Sequence, residues 1–138
     1  MPKRDRYHTA VKQALIKDGW TITHDPLTLS FGVHNLYVDF GAERVLGAER
    51  DGEQIAVEIK SFVGQSEVAD MEQALGQYLL YRSLLQRNDP SRCLMLAVPL
   101  DAFDTILSTE LGRAVREDYA LAILVFDADQ EVIRQWLP

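Results

Sequence analysis

An α/β fold, a central mixed β-sheet flanked by helices, is what the sequence predicts, and three observations predict it. Helical and strand periodicities follow one another as helix, hairpins, helix, strand, helix, strand, the order of a sheet covered by helices. Two unbroken apolar runs, residues 93–98 and 121–126, read as strands buried on both faces. Residues 66–85 carry the long apolar stripe Met71, Leu75, Tyr78 and Leu85 at helical spacing.

The elements follow in order. Residues 5–18 form a helix with Tyr7, Val11, Ala14 and Leu15 on one stripe, and Gly19 stops it. Residues 20–23 and 27–31 are short strands with Asp25-Pro26 turning the chain between them. Residues 43–50 and 53–62 flank Asp51-Gly52, a dipeptide suited to a two-residue hairpin turn. That turn sets Ala48 opposite Ile55, Leu46 opposite Val57 and Arg44 opposite Ile59. Ile55, Val57 and Ile59 then point into a core, with Ala56, Glu58 and Lys60 on the other face. Ser66 caps the long helix, and Glu67 and Asp70 suit its first turn. A second helical region covers about 102–115, with Gly112 as an interruption, and 132–137 closes the chain as a strand or short helix.

The 138 residues are 47% hydrophobic and 25% charged, which excludes disorder. No repeat or linker divides them, so residues 1–138 read as one domain. With 14 basic against 21 acidic residues the net charge is −7, the wrong sign for holding DNA by an overall field. No apolar run suits a membrane span and the N-terminus is no signal peptide. A lone cysteine, Cys93, points to a reducing cytoplasm. The sequence carries no Cys/His cluster, phosphate loop, dinucleotide fingerprint or Gly-x-Ser-x-Gly elbow.

Glu58-Ile59-Lys60 is the strongest chemical signal. Residues two apart share a strand face, so Glu58 and Lys60 project together. The carboxylate can hold a divalent cation, and the ammonium can position a water or stabilise charge developing on phosphate. An exposed ion pair on a half-buried strand is the plainer alternative. Asp39 lies in Tyr37-Val38-Asp39-Phe40, an apolar segment where an unpaired charge is costly. A metal or a lysine explains it, and so does a turn cap before Gly41. Glu43 competes for the same role, because the hairpin register sets it opposite Lys60. Gln73, Gln77 and Tyr81, spaced by four, either meet phosphate or a metal-bound water or border an amphipathic helix. His8 is a metal ligand or a boundary histidine at the edge of the first helix. His24 and His34 have no site-like spacing, and Cys93 reads as core.

An acid before a hairpin, Glu-x-Lys on its second strand and a helix with Gln-x-x-x-Tyr resemble the PD-(D/E)XK nuclease superfamily. Here those are Asp39, Glu58-Ile59-Lys60 and Gln77-Tyr78-Leu79-Leu80-Tyr81. A longer match begins at Arg4-Asp5-Arg6-Tyr7-His8 and runs through residues 14–29, Leu36-Tyr37-Val38-Asp39, residues 55–62 and Glu72-Gln73-Ala74-Leu75-Gly76-Gln77-Tyr78. It resembles the XisH family, the fdxN-element excision controlling factors. The resemblance implies a restriction-endonuclease-like fold. It also implies a role in excising a DNA element with a site-specific recombinase and a small XisI-like partner, with DNA reached directly or through those partners and self-association open.

For the site, the resemblance implies that Asp39 and Glu58 hold Mg²⁺ or Mn²⁺, with Glu43 or His8 as further candidate ligands. Lys60 then orients or deprotonates the attacking water, Gln77 and Tyr81 support the site or contact phosphate, and the reaction is phosphodiester hydrolysis. The alternative is an inactive nuclease-like module acting through a protein partner. Two departures stand out. Val38 replaces the superfamily's proline. The tight-turn register also puts Gly47 near the usual place of the first acid, so Asp39 needs a bulge or bend to reach the site, or Glu43 replaces it.

Overall fold

The computed structural model describes the backbone of residues 3–44, 52–64 and 66–138. Helix α1 (Lys3–Lys17) buries Val11, Ala14 and Leu15. It stops where Gly19 takes a φ of +91° and the Trp20 N–H bonds back to the Leu15 carbonyl, the left-handed ending that glycine allows. Strand β1 (Thr21–His24) and strand β2 (Leu27–Phe31) follow, joined through a cis Asp25–Pro26 peptide. They part company there. β2 pairs with β3 (His34–Val38) in a separate hairpin, and β1 pairs with β4 (Phe40–Arg44).

The main sheet continues with β5 (Glu53–Ile59), β6 (Cys93–Pro99), β7 (Ile123–Asp127) and β8 (Val132–Leu137), in the order β1-β4-β5-β6-β7-β8. β5, β6 and β7 run parallel and the flanking pairs antiparallel, so the sheet is mixed as predicted. Both its faces are covered. Ile55, Val57, Met95, Ala97, Leu124 and Phe126 meet Val11 and Leu15 of α1 in one apolar layer. Ala56, Leu94, Leu96, Val98, Ile123 and Val125 meet Met71, Ala74, Tyr78 and Leu85 of helix α2 (Glu67–Asn88) and the β2–β3 hairpin in the other. Ser66 caps α2, its hydroxyl accepting from the Ala69 N–H. Among the described residues no helix is long and apolar enough to cross a membrane.

Three expectations need correction. Arg44 pairs with Glu53, not Ile59, and Ala42 with Ile55. The hairpin has therefore slid by six residues, leaving residues 45–52 to connect its strands; most of the predicted Asp51-Gly52 turn and of its first strand lies outside the described residues. Because six is even, Ile55 and Val57 keep the face expected of them. The second helical region is broken at Ser108–Thr109 rather than at Gly112. Helix α3 (Leu100–Ala102) runs into a π-helical turn (Phe103–Leu107), and α4 (Glu110–Tyr119) starts afresh. Thr109 caps α4 by accepting from the Gly112 N–H. A Cβ at position 112 would collide with the carbonyl oxygens of Ile106 and Leu107, so the glycine permits the corner. Cys93, finally, is exposed at the start of β6, because core burial begins at Leu94.

Candidate active site

The carboxyl ends of parallel strands are where α/β sheets leave room for ligands, since the chain there turns away to its crossover. β5 ends at Ile59, pairing with Ala97 of β6, and the Lys60 N–H extends that ladder to the Ala97 carbonyl. Beyond it, residues 61–64 lead to α2. Asp70 accepts from the Gly64 N–H at 2.9 Å, tying this loop to the first turns of the helix. Antiparallel β4 begins beside the same end of β5. Phe40 pairs with Val57, and one further step in that register sets Asp39 beside Glu58.

Asp39 occupies the bend between β3 and β4, half-buried, and its Oδ2 accepts from the Ile59 N–H at 2.8 Å. That bond fixes the carboxylate against the Glu58-Ile59-Lys60 segment with no bulge. The slid register thus removes the distance that the tight turn put between Asp39 and the strand. Glu58 lies on the face of β5 covered by α2, the same face as buried Ala56, so its surroundings are a covered cleft edge rather than an open strand surface.

A cleft of about 480 Å³ opens over these residues, lined by Asp39, Glu58, Ile59, Lys60, Gln77 and Tyr81, with Tyr7 and His8 of α1, Tyr37 of β3, and Ser61 and Val63 of the loop. Helix α2 brings Gln77 and Tyr81 in on one stripe, as their spacing of four predicts. Gln73, one turn earlier, accepts from the Lys60 ammonium at 2.6 Å. Tyr81 records the convergence of the two acids: its phenol is pushed above its usual range by burial first, then by the charges of Glu58 and Asp39.

His8 lines the cleft with its ring against Phe40, centroids 4.4 Å apart, and its Nε2 is 2.8 Å from Asp25 Oδ1. Lys12 holds the other Asp25 oxygen at 3.3 Å. The histidine is thus oriented by a carboxylate, as ring nitrogens near functional sites commonly are. Glu43 is not brought to the cleft; it pairs with Thr21 on one side and Gln54 on the other, well down the strand. His24 bonds its neighbour Thr23, and His34 lies exposed at the start of the second hairpin strand.

Several lining residues escaped the sequence reading. Tyr37 carried a usable signal, since it shares a strand side with Asp39 across buried Val38. Asp25, which stands behind His8 rather than lining the cleft, carried none, because nothing in the sequence links it to His8 across 17 positions.

The XisH protein family model matches residues 1–134. The chain belongs to the XisH family. Two solved structures bear this out. An XisH family protein from Nostoc punctiforme PCC 73102 is 43% identical and superposes with a TM-score of 0.88, the match covering 97% of this chain and 100% of that one. A fdxN element excision controlling factor protein from Anabaena variabilis is also 43% identical, with a TM-score of 0.86 over 97% of this chain and 99% of that one. No curated protein matches the chain. At this identity and coverage the XisH architecture extends over nearly all of the elements described above, the cleft included.

Proposed function

We propose that this chain is a controlling factor for excision of a DNA element, built on a restriction-endonuclease-like scaffold whose cleft is a divalent-cation phosphodiesterase site. Its XisH membership and its likeness to the excision controlling factor protein support the first part. One observation carries the second: the Asp39 carboxylate is pinned to the Ile59 N–H, which sets two acids and a lysine at one strand end facing Gln77 and Tyr81.

Asp39 and Glu58 are hard oxygen donors, and two carboxylates with water completing the shell suit Mg²⁺ or Mn²⁺. Such a cation, when bound, neutralises the cleft and supplies electrophilic stabilisation at a phosphate. Lys60 positions the attacking water from the same face as Glu58. Gln77 donates its amide to a phosphate oxygen, and Tyr81, its phenol pushed up by burial first and then by the charges of Glu58 and Asp39, offers an O–H rather than an anion. The partners of this reading are DNA, a site-specific recombinase and an XisI-like protein.

A second reading keeps the excision role without cleavage, the scaffold acting through a protein partner. The net charge of −7 favours it, since a partner would then supply DNA affinity. Incubating the protein with single- and double-stranded DNA in Mg²⁺ or Mn²⁺, beside Lys60→Met and Glu58→Ala, separates the two. The nuclease reading expects cation-dependent cuts that both variants lose by a hundredfold or more, roughly the scale of one positioned acid–base or electrostatic group. No cuts, with a stable partner complex, would establish the scaffold reading instead.

A further inference from the structure

The stretch between Asp25 and Asp39 is the longest in the chain without an Asp, Glu, Lys or Arg. It forms the β2–β3 hairpin, which pairs apart from the main sheet. One side of the hairpin is apolar, with Leu27, Leu29 and Val38 buried in the layer that α2 covers. The other side carries the cross-strand pairs Thr28–Tyr37 and Ser30–Asn35, all four residues exposed. Tyr37 ends that row at the cleft. It is 57% exposed and yet lines the cleft together with Asp39, Glu58 and Lys60. Val63, also exposed, lines the same cleft from the loop after β5.

We propose that Tyr37 is a stacking platform for an unpaired nucleobase, so that the DNA this cleft takes is single-stranded where it enters. The inference rests on the phosphodiesterase reading above and names its substrate class. A chain of net charge −7 gains no affinity from a phosphate backbone through its overall field. A strand must then be held by something other than charge, and stacking on an aromatic ring is such a force. An interior base of a duplex has both faces covered by its neighbours, so only an unpaired base can offer one to Tyr37. The row beyond Tyr37 adds hydroxyl and amide groups of the kind that hydrogen-bond sugar and phosphate, on a stretch without a carboxylate to repel them. A protein partner suits this row less well. It offers one ring among three small polar side chains, not the apolar centre of a protein interface.

The test is fluorescence-anisotropy titration of three labelled probes with the wild type, Tyr37→Phe and Tyr37→Leu, in Ca²⁺ in place of Mg²⁺. The probes are a single-stranded oligonucleotide, its duplex, and the same single strand built with abasic residues. The wild type is expected to bind the base-bearing single strand most tightly. Tyr37→Leu is expected to weaken that binding by about tenfold, the scale of one lost base–aromatic stack, and to leave the abasic strand unchanged. Tyr37→Phe keeps the ring and should stay within about twofold of the wild type. A ring that merely supported the hairpin would instead weaken all three probes together, and that result would overturn the inference. So would equal wild-type binding of the base-bearing and abasic strands, no effect of Tyr37→Leu, or no binding of the single strand at all. Cutting of the same duplex and single strand in Mn²⁺ reports separately on the phosphodiesterase reading. Duplex cutting that Tyr37→Leu leaves untouched would sink the inference and leave that reading standing.

Discussion

At the scale of single residues, the buried hydroxyl of Tyr78 links three elements. It donates to the Leu94 carbonyl and accepts from the Ala122 N–H, both at 3.1 Å, joining α2 to β6 and to the residue before β7. Tyr78→Phe leaves both backbone groups without that partner, and we expect a loss of about 1–3 kcal/mol in urea denaturation. Burial raises the Tyr78 pKa above 10.0, more than the Ala122 N–H and Arg82 lower it. The folded state therefore disfavours the phenolate. Its stabilising contribution is complete below pH 10 and is lost as the pH rises through the higher folded value. Tyr81 shifts the same way. Unfolding measured between pH 8 and 11 should show stability falling at the alkaline end, and Tyr78→Phe should flatten that fall. Asp89 has the opposite sign. The Ser91 hydroxyl and then Arg92 hold its pKa below 3.8, so its contribution is present above that pH and is lost in acid.

At the scale of elements, the joints matter more than the regular stretches. Gly112→Ala drives a methyl group into the carbonyls that end the π-helical turn, and an overpacking cost of about 1–3 kcal/mol is expected in thermal or urea unfolding. Arg92 is nine-tenths buried and donates to the Ala42 and Ile55 carbonyls and to the Thr23 hydroxyl, fastening β1, β4 and β5. Arg92→Met should cost about 2 kcal/mol or more by the same assay, because it strands those acceptors and the Asp89 carboxylate. These joints also show what the sequence could and could not reveal. The cap at Ser66, the stop at Gly19 and the apolar runs of β6 and β7 were legible because each is fixed by local chemistry. The register of β4 on β5 was not. Asp51-Gly52 suits a tight turn, yet tertiary pairing of Phe40 with Val57 overrides it, as apolar burial outweighs a local turn preference. Placing Asp39 beside Glu58 depended on that register, so the acids were readable as residues and their juxtaposition was not. The split at Ser108–Thr109 stayed hidden because the stripe of Phe103, Ile106, Leu107 and Leu111 crosses the break without losing helical spacing.

At the scale of the whole molecule, charge and shape pull in different directions. A chain of net charge −7 repels a phosphate backbone, and its cleft adds two carboxylates at the point where a phosphate would sit. A cation held between them would offset those two charges without altering the fold, and a partner that carried the DNA would remove the need for a basic surface elsewhere. Both demands meet in one claim, that Asp39 and Glu58 together form a cation site. Calorimetric titration of Mn²⁺ into the wild type, Asp39→Ala, Glu58→Ala and Glu43→Ala tests it most directly. Binding should be present in the wild type and in Glu43→Ala, and lost in both of the others. Binding that survives Asp39→Ala or Glu58→Ala, or that is absent from the wild type, would contradict the account.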